Sequence, residues 1–384
     1  MLDIEFKNFI QLQRGFDLPE HSRILGNVPV VASTSISGFH NVAKVKAPGV
    51  VTGRSGALGE VQFINEDFWP LNTTLWVKDF KNNDPKYVYY FLKTIDFKRY
   101  NSGAGVPTLN RNDLDTLKIK IHEKNEQLKI AKLLSNYDDL IENNNRRIKI
   151  LEEMAQKIYK EWFVDFKFPG HETTTFKDSH LGKIPNDWDV KKTTDLGETL
   201  TGKTPSKAKN SYYGADIPFI KTPDMHNSIF CIKTNEMLSK IGAESQKNKY
   251  VPANSICVSC IGTVGVVSIT TKICQTNQQI NTIIPKKEFY REFIYFYFSN
   301  LKNKLENLGA NGATMTNVNK NKFDNIEILK PNNDLLQTFS KIIAPFFEEV
   351  KILSIKNESL KQTRDILLPC LISGEINVEN IEVL

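Results

Sequence analysis

Gly103-Ala104-Gly105-Val106-Pro107-Thr108 returns as Gly309-Ala310-Asn311-Gly312-Ala313-Thr314, 206 positions along the chain. The same separation relates Gly56 and Gly59 to Gly262 and Gly265, each pair inside a strand-like stretch. A repeat of this length predicts two related modules, and repeats decide architecture before any local reading does. Working outward, two long periodic segments follow. Ile130, Leu134, Tyr137, Ile141, Asn144, Ile148, Leu151, Ala155, Ile158 and Trp162 alternate spacings of four and three. Phe339, Ile343, Phe346, Val350, Leu353, Asn357, Leu360, Arg364, Leu367 and Leu371 do the same. That spacing is a coiled-coil seam.

Each seam carries one asparagine, at non-equivalent places in the repeat. A buried asparagine costs stability and is tolerated where it fixes register. Antiparallel pairing with Asn144 opposite Asn357 brings every seam residue against a seam residue, and sets Tyr137 against Arg364 and Ala155 against Phe346. A slip of one heptad would leave each asparagine facing an apolar residue. Pro169-Gly170 is expected to end the first helix and Gly374 the second, with Pro345 starting or kinking the latter.

The fold expected is α+β: two α/β modules, separated and joined by two long antiparallel coiled-coil helices with pseudo-two-fold symmetry. The boundaries are 1–124 for the first module, 125–168 for the first helix, 169–333 for the second module, 334–375 for the second helix, and 376–384 for a tail. In the first module 28–31, 49–52 and 117–121 read as strands and 87–97 as a helix; 217–220, 323–329 and 289–301 answer some of these in the second.

Composition is that of an ordinary globular chain, with 40% hydrophobic and 24% charged residues. The formal net charge of +6 permits a nucleic-acid partner without demanding one. The N-terminal residues Met1-Leu2-Asp3-Ile4-Glu5 are acidic and lack an apolar core, so no secretory leader is expected. Residues 250–271 carry no charge, but Pro252, Asn254, Gly262 and Gly265 argue for buried strands around a turn rather than a bilayer span. Five irregularly spaced cysteines point to a cytoplasmic chain without a disulfide framework.

Enzymatic motifs are weak. Gly197-Glu198-Thr199-Leu200-Thr201-Gly202-Lys203-Thr204 fits the spelling of a phosphate loop, yet a polar stretch precedes it and Pro205 follows, so a basic loop is expected. Cys257 and Cys260 would point to opposite faces of a strand, which suits neither zinc nor redox chemistry. Asp165-Phe166-Lys167 and Asp189-Val190-Lys191 lack an acidic partner for a nuclease site, the six histidines show no ligand spacing, and no aromatic-flanked Asn/Asp-Pro-Pro appears. No catalytic or metal site is expected. What remains is polar, basic loop chemistry at matched places. The first module offers Arg14, Ser33, Thr34, Ser35, Arg54, Ser55, Asn72 and Thr108. The second offers Lys203, Thr204, Lys207, Lys221, Thr222, Asp224, Asn277, Gln278, Thr314 and Thr316. Arg, Lys, Asn and Gln pair with base edges, and Ser, Thr and Lys also suit phosphates.

With those residues in view, the chain resembles the specificity subunits of Type I restriction-modification systems. The resemblance rests on Gly105-Val106-Pro107-Thr108-Leu109-Asn110, Gln127, residues 139–148, Leu151-Glu152-Glu153-Met154-Ala155-Gln156, Trp162-Phe163 and Gly182-Lys183-Ile184-Pro185-Asn186-Asp187-Trp188. The first module lacks the Ile-Pro-x-x-Trp opening, so its first edge is expected to be shortened or differently capped. The resemblance implies two target-recognition domains reading double-stranded DNA. It also implies two spacer helices, and assembly with methyltransferase and restriction subunits that hold S-adenosylmethionine, ATP and Mg. It implies no cofactor on this chain and no membrane. Two other classes compete: an enzyme with its own methyltransferase or nuclease site, and a coiled-coil scaffold with no role on DNA.

Overall fold

The computed structural model describes residues 1–103, 105–226, 228–309 and 316–379. Contacts divide the chain into two units, Met1–Glu142 with Glu358–Leu384, and Asn143–Asn357.

In the first unit Leu2–Glu5 pairs antiparallel with Lys118–Ile121. A four-stranded antiparallel sheet follows, in the order Gln11–Arg14, Thr74–Asp79, Gly49–Gly53, Val61–Ile64. Beside it Ile36–His40, Val28–Val31 and Trp69–Pro70 form a three-stranded sheet whose last pairing is parallel. The helix Pro85–Thr94 begins where the Asp84 carboxylate accepts the Tyr87 N–H, with proline in the first turn. Phe9, Val50, Leu75, Tyr87, Phe91 and Leu109 fill one core with Ile130, Leu134, Leu368 and Leu371 from the long helices.

The second unit repeats this order. Asp189–Lys192 pairs with Glu327–Lys330. Gly197–Thr201, Ile280–Pro285, Ile256–Ser259 and Val267–Thr270 make the same sheet, with Phe230–Cys231 added in parallel at its edge. Glu236–Leu238, Tyr213–Ile220 and Gln275–Thr276 make the second sheet, and Arg291–Ser299 the helix. The second unit also has a hairpin of Phe176–Ser179 with Gly182–Pro185, leading to the fully buried Trp188. Among the described residues the first module shows no such hairpin, and its strand Leu2–Glu5 makes the pairing that Asp189–Lys192 makes in the second.

The repeated glycines have a steric cause. Gly56, Gly59, Gly262 and Gly265 have φ of 84°, 90°, 75° and 85°, where a side chain is strained. They shape a turn against which Thr108 and Leu109 pair in the first module and Asn317 and Val318 in the second. Ser55 bridges Thr108 and Ile261 bridges Asn317, while Leu109 N–H donates to the Arg54 carbonyl (2.8 Å) and Val318 N–H to that of Cys260 (2.9 Å). Gly15 and Gly202 mark a second shared contact. A Cβ on Gly15 would lie 2.2 Å from the Leu71 carbonyl oxygen, and one on Gly202 2.2 Å from that of Asn277.

The long helices run Lys124–Phe163 and Asn333–Ser373, of 40 and 41 residues. Every residue of both seams is buried or half-buried. In the second unit Asn144 Nδ2 donates to Asn357 Oδ1 (2.8 Å), Asn357 Nδ2 to Asn145 Oδ1 (2.9 Å), and Arg147 pairs with Glu349 at 2.5 Å, so the segments are antiparallel. In the first unit Arg364, expected against Tyr137, gives its charge to the next residue, Asp138, which also accepts the Tyr90 hydroxyl at 2.6 Å.

Three details differ from the sequence reading. The first helix stops at Phe163 rather than at Pro169, because Phe166 turns left-handed (φ 56°) and Phe166 and Phe168 fold onto Trp188. The second helix runs through Pro345 without a break; the proline and Lys341, whose carbonyl it leaves unbonded, are both exposed. Phe323, read as strand, lies in a helical turn, Lys320–Asp324, where the Asn319 side chain accepts the Lys322 N–H. Among the described residues no helix is long and apolar enough to cross a membrane. The uncharged 250–271 stretch instead holds the buried strands Ile256–Ser259 and Val267–Thr270.

Candidate nucleic-acid interface

The first module gathers its loops at one edge of the sheet. Arg14 closes the strand Gln11–Arg14, Arg54 follows Gly49–Gly53, and Thr108 lies on the segment bridged to Ser55. Together with Gln13, Asn110 and Arg111 they line an open groove of about 740 Å³. Arg14 Nε (3.4 Å) and Arg54 Nη1 (3.5 Å) both donate to the Asn72 carbonyl, and Arg111 Nη1 donates to that of Leu12 (3.3 Å). Among the described residues, no carboxylate forms an ion pair with any of these three guanidinium groups.

The remaining first-module residues lie outside the lining of this groove. Ser33 is buried, and its hydroxyl lies 3.0 Å and 2.9 Å from the Ser55 and Thr73 carbonyl oxygens, so it pins the turn carrying Arg54. Thr34 and Ser35 are exposed at the tip of the adjoining hairpin. The Asn72 side chain donates to Asp17. Thr108 donates its hydroxyl to the Val106 carbonyl and its N–H to Asn101 Oδ1. Gln13 and Arg111 escaped the sequence reading, and Asn110 entered it only within the family-like segment. Arg111 lies three residues beyond the repeated glycine segment, and that proximity was the available signal.

In the second module Lys203, Thr204, Lys221, Thr222, Asn277 and Gln278 also meet. Lys203 N–H donates to the Thr276 carbonyl (2.9 Å), Thr204 bonds Gln278, and Asn277 N–H donates to the Ile220 carbonyl (3.0 Å), just before Lys221 and Thr222. Lys207 and Lys221 share one carboxylate, Glu236; Lys207 lies 3.7 Å from it. Those two ammonium groups hold the Glu236 carboxyl below the usual glutamate range, Lys221 most strongly. Asp224 is committed to its own loop: Oδ2 accepts the Lys221 N–H, and Oδ1 accepts both the N–H and side-chain amide of Asn235. Thr222 is buried with its hydroxyl unbonded, and Asn277 is buried with its amide on Gln279. Gln278 is exposed. Thr316 is half-buried and accepts the Gly262 N–H through its carbonyl. Thr314 lies outside the described residues.

The spellings that resembled enzyme motifs resolve into structure. Gly197–Thr201 is a paired strand, so only residues from Gly202 onward form a loop. Cys257 and Cys260 pack in different core clusters, and burial pushes both thiols up to about 12. Among the described residues no cluster of His, Cys, Asp and Glu is suited to a metal ion.

A doubled α/β frame, with polar loops at matched edges of each half, defines a tandem recognition protein. The profile of the Type I restriction modification DNA specificity domain matches residues 21–153 and 185–362, well over half of the chain, and the chain belongs to that family. It is 35% identical over 328 residues to the Type I restriction enzyme HindI specificity subunit of Haemophilus influenzae, covering 70% of this chain and 71% of that one. It is 28% identical over 332 residues to the MjaIX specificity subunit of Methanocaldococcus jannaschii, covering 81% and 74%. Its fold is similar to the crystal structure of a Type I restriction-modification S subunit from M. genitalium, with a TM-score of 0.66 at 16% identity, over 97% and 96% of the two chains.

Proposed function

We propose that this chain is the DNA-recognition subunit of a Type I restriction-modification complex, and that each module reads one half of an asymmetric, bipartite duplex target. One observation carries this reading. The same backbone frame occurs twice, and the loops at its equivalent edges bear different side chains, so one geometry meets DNA twice with two chemistries. The long helices set the spacer between half-sites and carry the methyltransferase and restriction subunits. This chain catalyses nothing; S-adenosylmethionine, ATP and Mg belong to those partners, and the complex works in the cytoplasm. Exchanging residues 169–333 for the corresponding module of a relative tests the reading. One half of the methylated target changes and the other stays. A chimera that changes both halves, or neither, overturns it. Methyl transfer or cleavage by the purified chain alone, given S-adenosylmethionine and Mg²⁺, would favour the enzyme instead.

A further inference from the structure

The three groove arginines, none paired with a carboxylate among the described residues, occur in one module only. The equivalent positions follow from the shared contacts: Gly15 with Gly202 aligns Arg14 with Thr201, and the bonds to the Arg54 and Cys260 carbonyls align those two residues. Two residues after Leu109 and Val318, the donors of those bonds, stand Arg111 and Lys320. None of the second-module counterparts offers a fork. Thr201 donates to Asn281 Oδ1 (2.6 Å), Cys260 is buried, and Lys320 is held by Thr199 and Asp324, each at 2.7 Å. We infer that the first module's half-site contains a guanine whose major-groove edge is read by Arg54, and that the second module reads its half-site without an arginine at this place.

The inference rests on the DNA-recognition reading above and adds the base and the residue. Guanine presents two acceptors, O6 and N7, side by side in the major groove, and a guanidinium meets both at once; this is the commonest specific arginine contact. Arg54 suits the role best of the three. Its backbone is fixed from both sides, the N–H donating to the Thr73 carbonyl (2.8 Å) and the carbonyl accepting from Leu109. Its side chain is half-buried, lines the groove and, among the described residues, hydrogen-bonds protein only through Nη1, at 3.5 Å from the Asn72 carbonyl, so neither Nε nor Nη2 is engaged by another residue. Arg14 is exposed at a strand end, and Arg111 is exposed and anchored through Nη1 on Leu12. Both suit phosphates on either side of a read base. The lining of the groove contains no carboxylate that would neutralise the fork.

The test uses the assembled methyltransferase complex with the full chain, after its target has been mapped from methylated sites and its halves assigned by the module exchange. Each guanine is replaced singly by 7-deazaguanine, which removes N7 and keeps Watson–Crick pairing. One replacement in the first module's half should weaken binding about 10- to 100-fold. Arg54→Ala should lose a similar factor on the native duplex and become indifferent to that replacement, and Arg54→Lys should also lose affinity, because a lysine cannot form the planar fork. Arg54→Lys keeps the charge, and its melting temperature shows whether the module is intact. The inference is overturned if that half has no guanine, or if Arg54→Ala still senses the replacement. It is also overturned if the loss in the variants is the same on every duplex and appears as a lower salt slope, which marks a phosphate contact. If the wild-type complex prefers no sequence, or the exchange moves neither half, the underlying reading has failed instead.

Discussion

Glu236 sits between two lysines of the second module, and this one carboxylate sets how much positive charge those loops offer. Glu236→Gln should therefore tighten non-specific duplex binding and steepen its salt dependence, measured by titration at several salt concentrations; unchanged affinity would place Lys207 and Lys221 away from DNA. Lys207→Ala should weaken binding equally on all sequences and lower the salt slope by roughly one. Glu152 gives a pH-dependent case. Burial raises its carboxyl above the ordinary 4.5, partly offset by the Ile229 N–H. A folded value above the unfolded one means that its contribution is fully present below pH 4.5 and is lost as pH rises through the folded value. Glu152→Gln should raise the melting temperature at neutral pH, and the gain should fade as pH drops toward 4.5. A gain that stayed constant across that range would show that ionisation is not its cause.

The helix pair is the element whose energetics are simplest to isolate. Asn144→Leu leaves Asn357 facing an apolar partner in a buried seam, where an unmet polar group costs about 1–3 kcal/mol. Replacing both asparagines by leucine should recover most of that loss, and a double-mutant cycle in denaturant measures the coupling; additive losses would mean that the two amides do not act as a pair. The seams were legible because their period is local and sustained, so spacing alone located the helices and the mating of Asn144 with Asn357. The strands 28–31 and 49–53 were legible as short apolar runs between turn residues. Where the first helix ends was not, since Phe166 and Phe168 lie beyond it and reach Trp188, contacts across 22 and 20 residues. Arg111 was not legible for a similar reason. Its place in a groove depends on Leu12 and Arg54, which are remote in sequence. Ser33 was legible as a polar loop residue, but its bonds to two carbonyls, which only the folded turn brings within reach, assign it to holding the loop.

For the molecule as a whole, the periodic seam makes length adjustable. Removing one seven-residue repeat from each long helix, in register about Asn144 and Asn357, preserves every seam pairing while shortening each helix by about 10 Å. The spacer between half-sites should then shrink by about three base pairs, read from methylated sites; an unchanged spacer would show that the helices do not set it. The division of contacts has a further consequence, for synthesis. The second unit is one continuous stretch, Asn143–Asn357, whereas the first joins Met1–Glu142 to Glu358–Leu384. On the ribosome, the half begun first is therefore finished last. Until Leu368 and Leu371 emerge, Ile130 and Leu134 wait without the residues that close their core, while the later half already has everything it needs to fold. A released chain ending at residue 357 should protect the second module from protease and leave the first open to cleavage, the reverse of the order in which they were made.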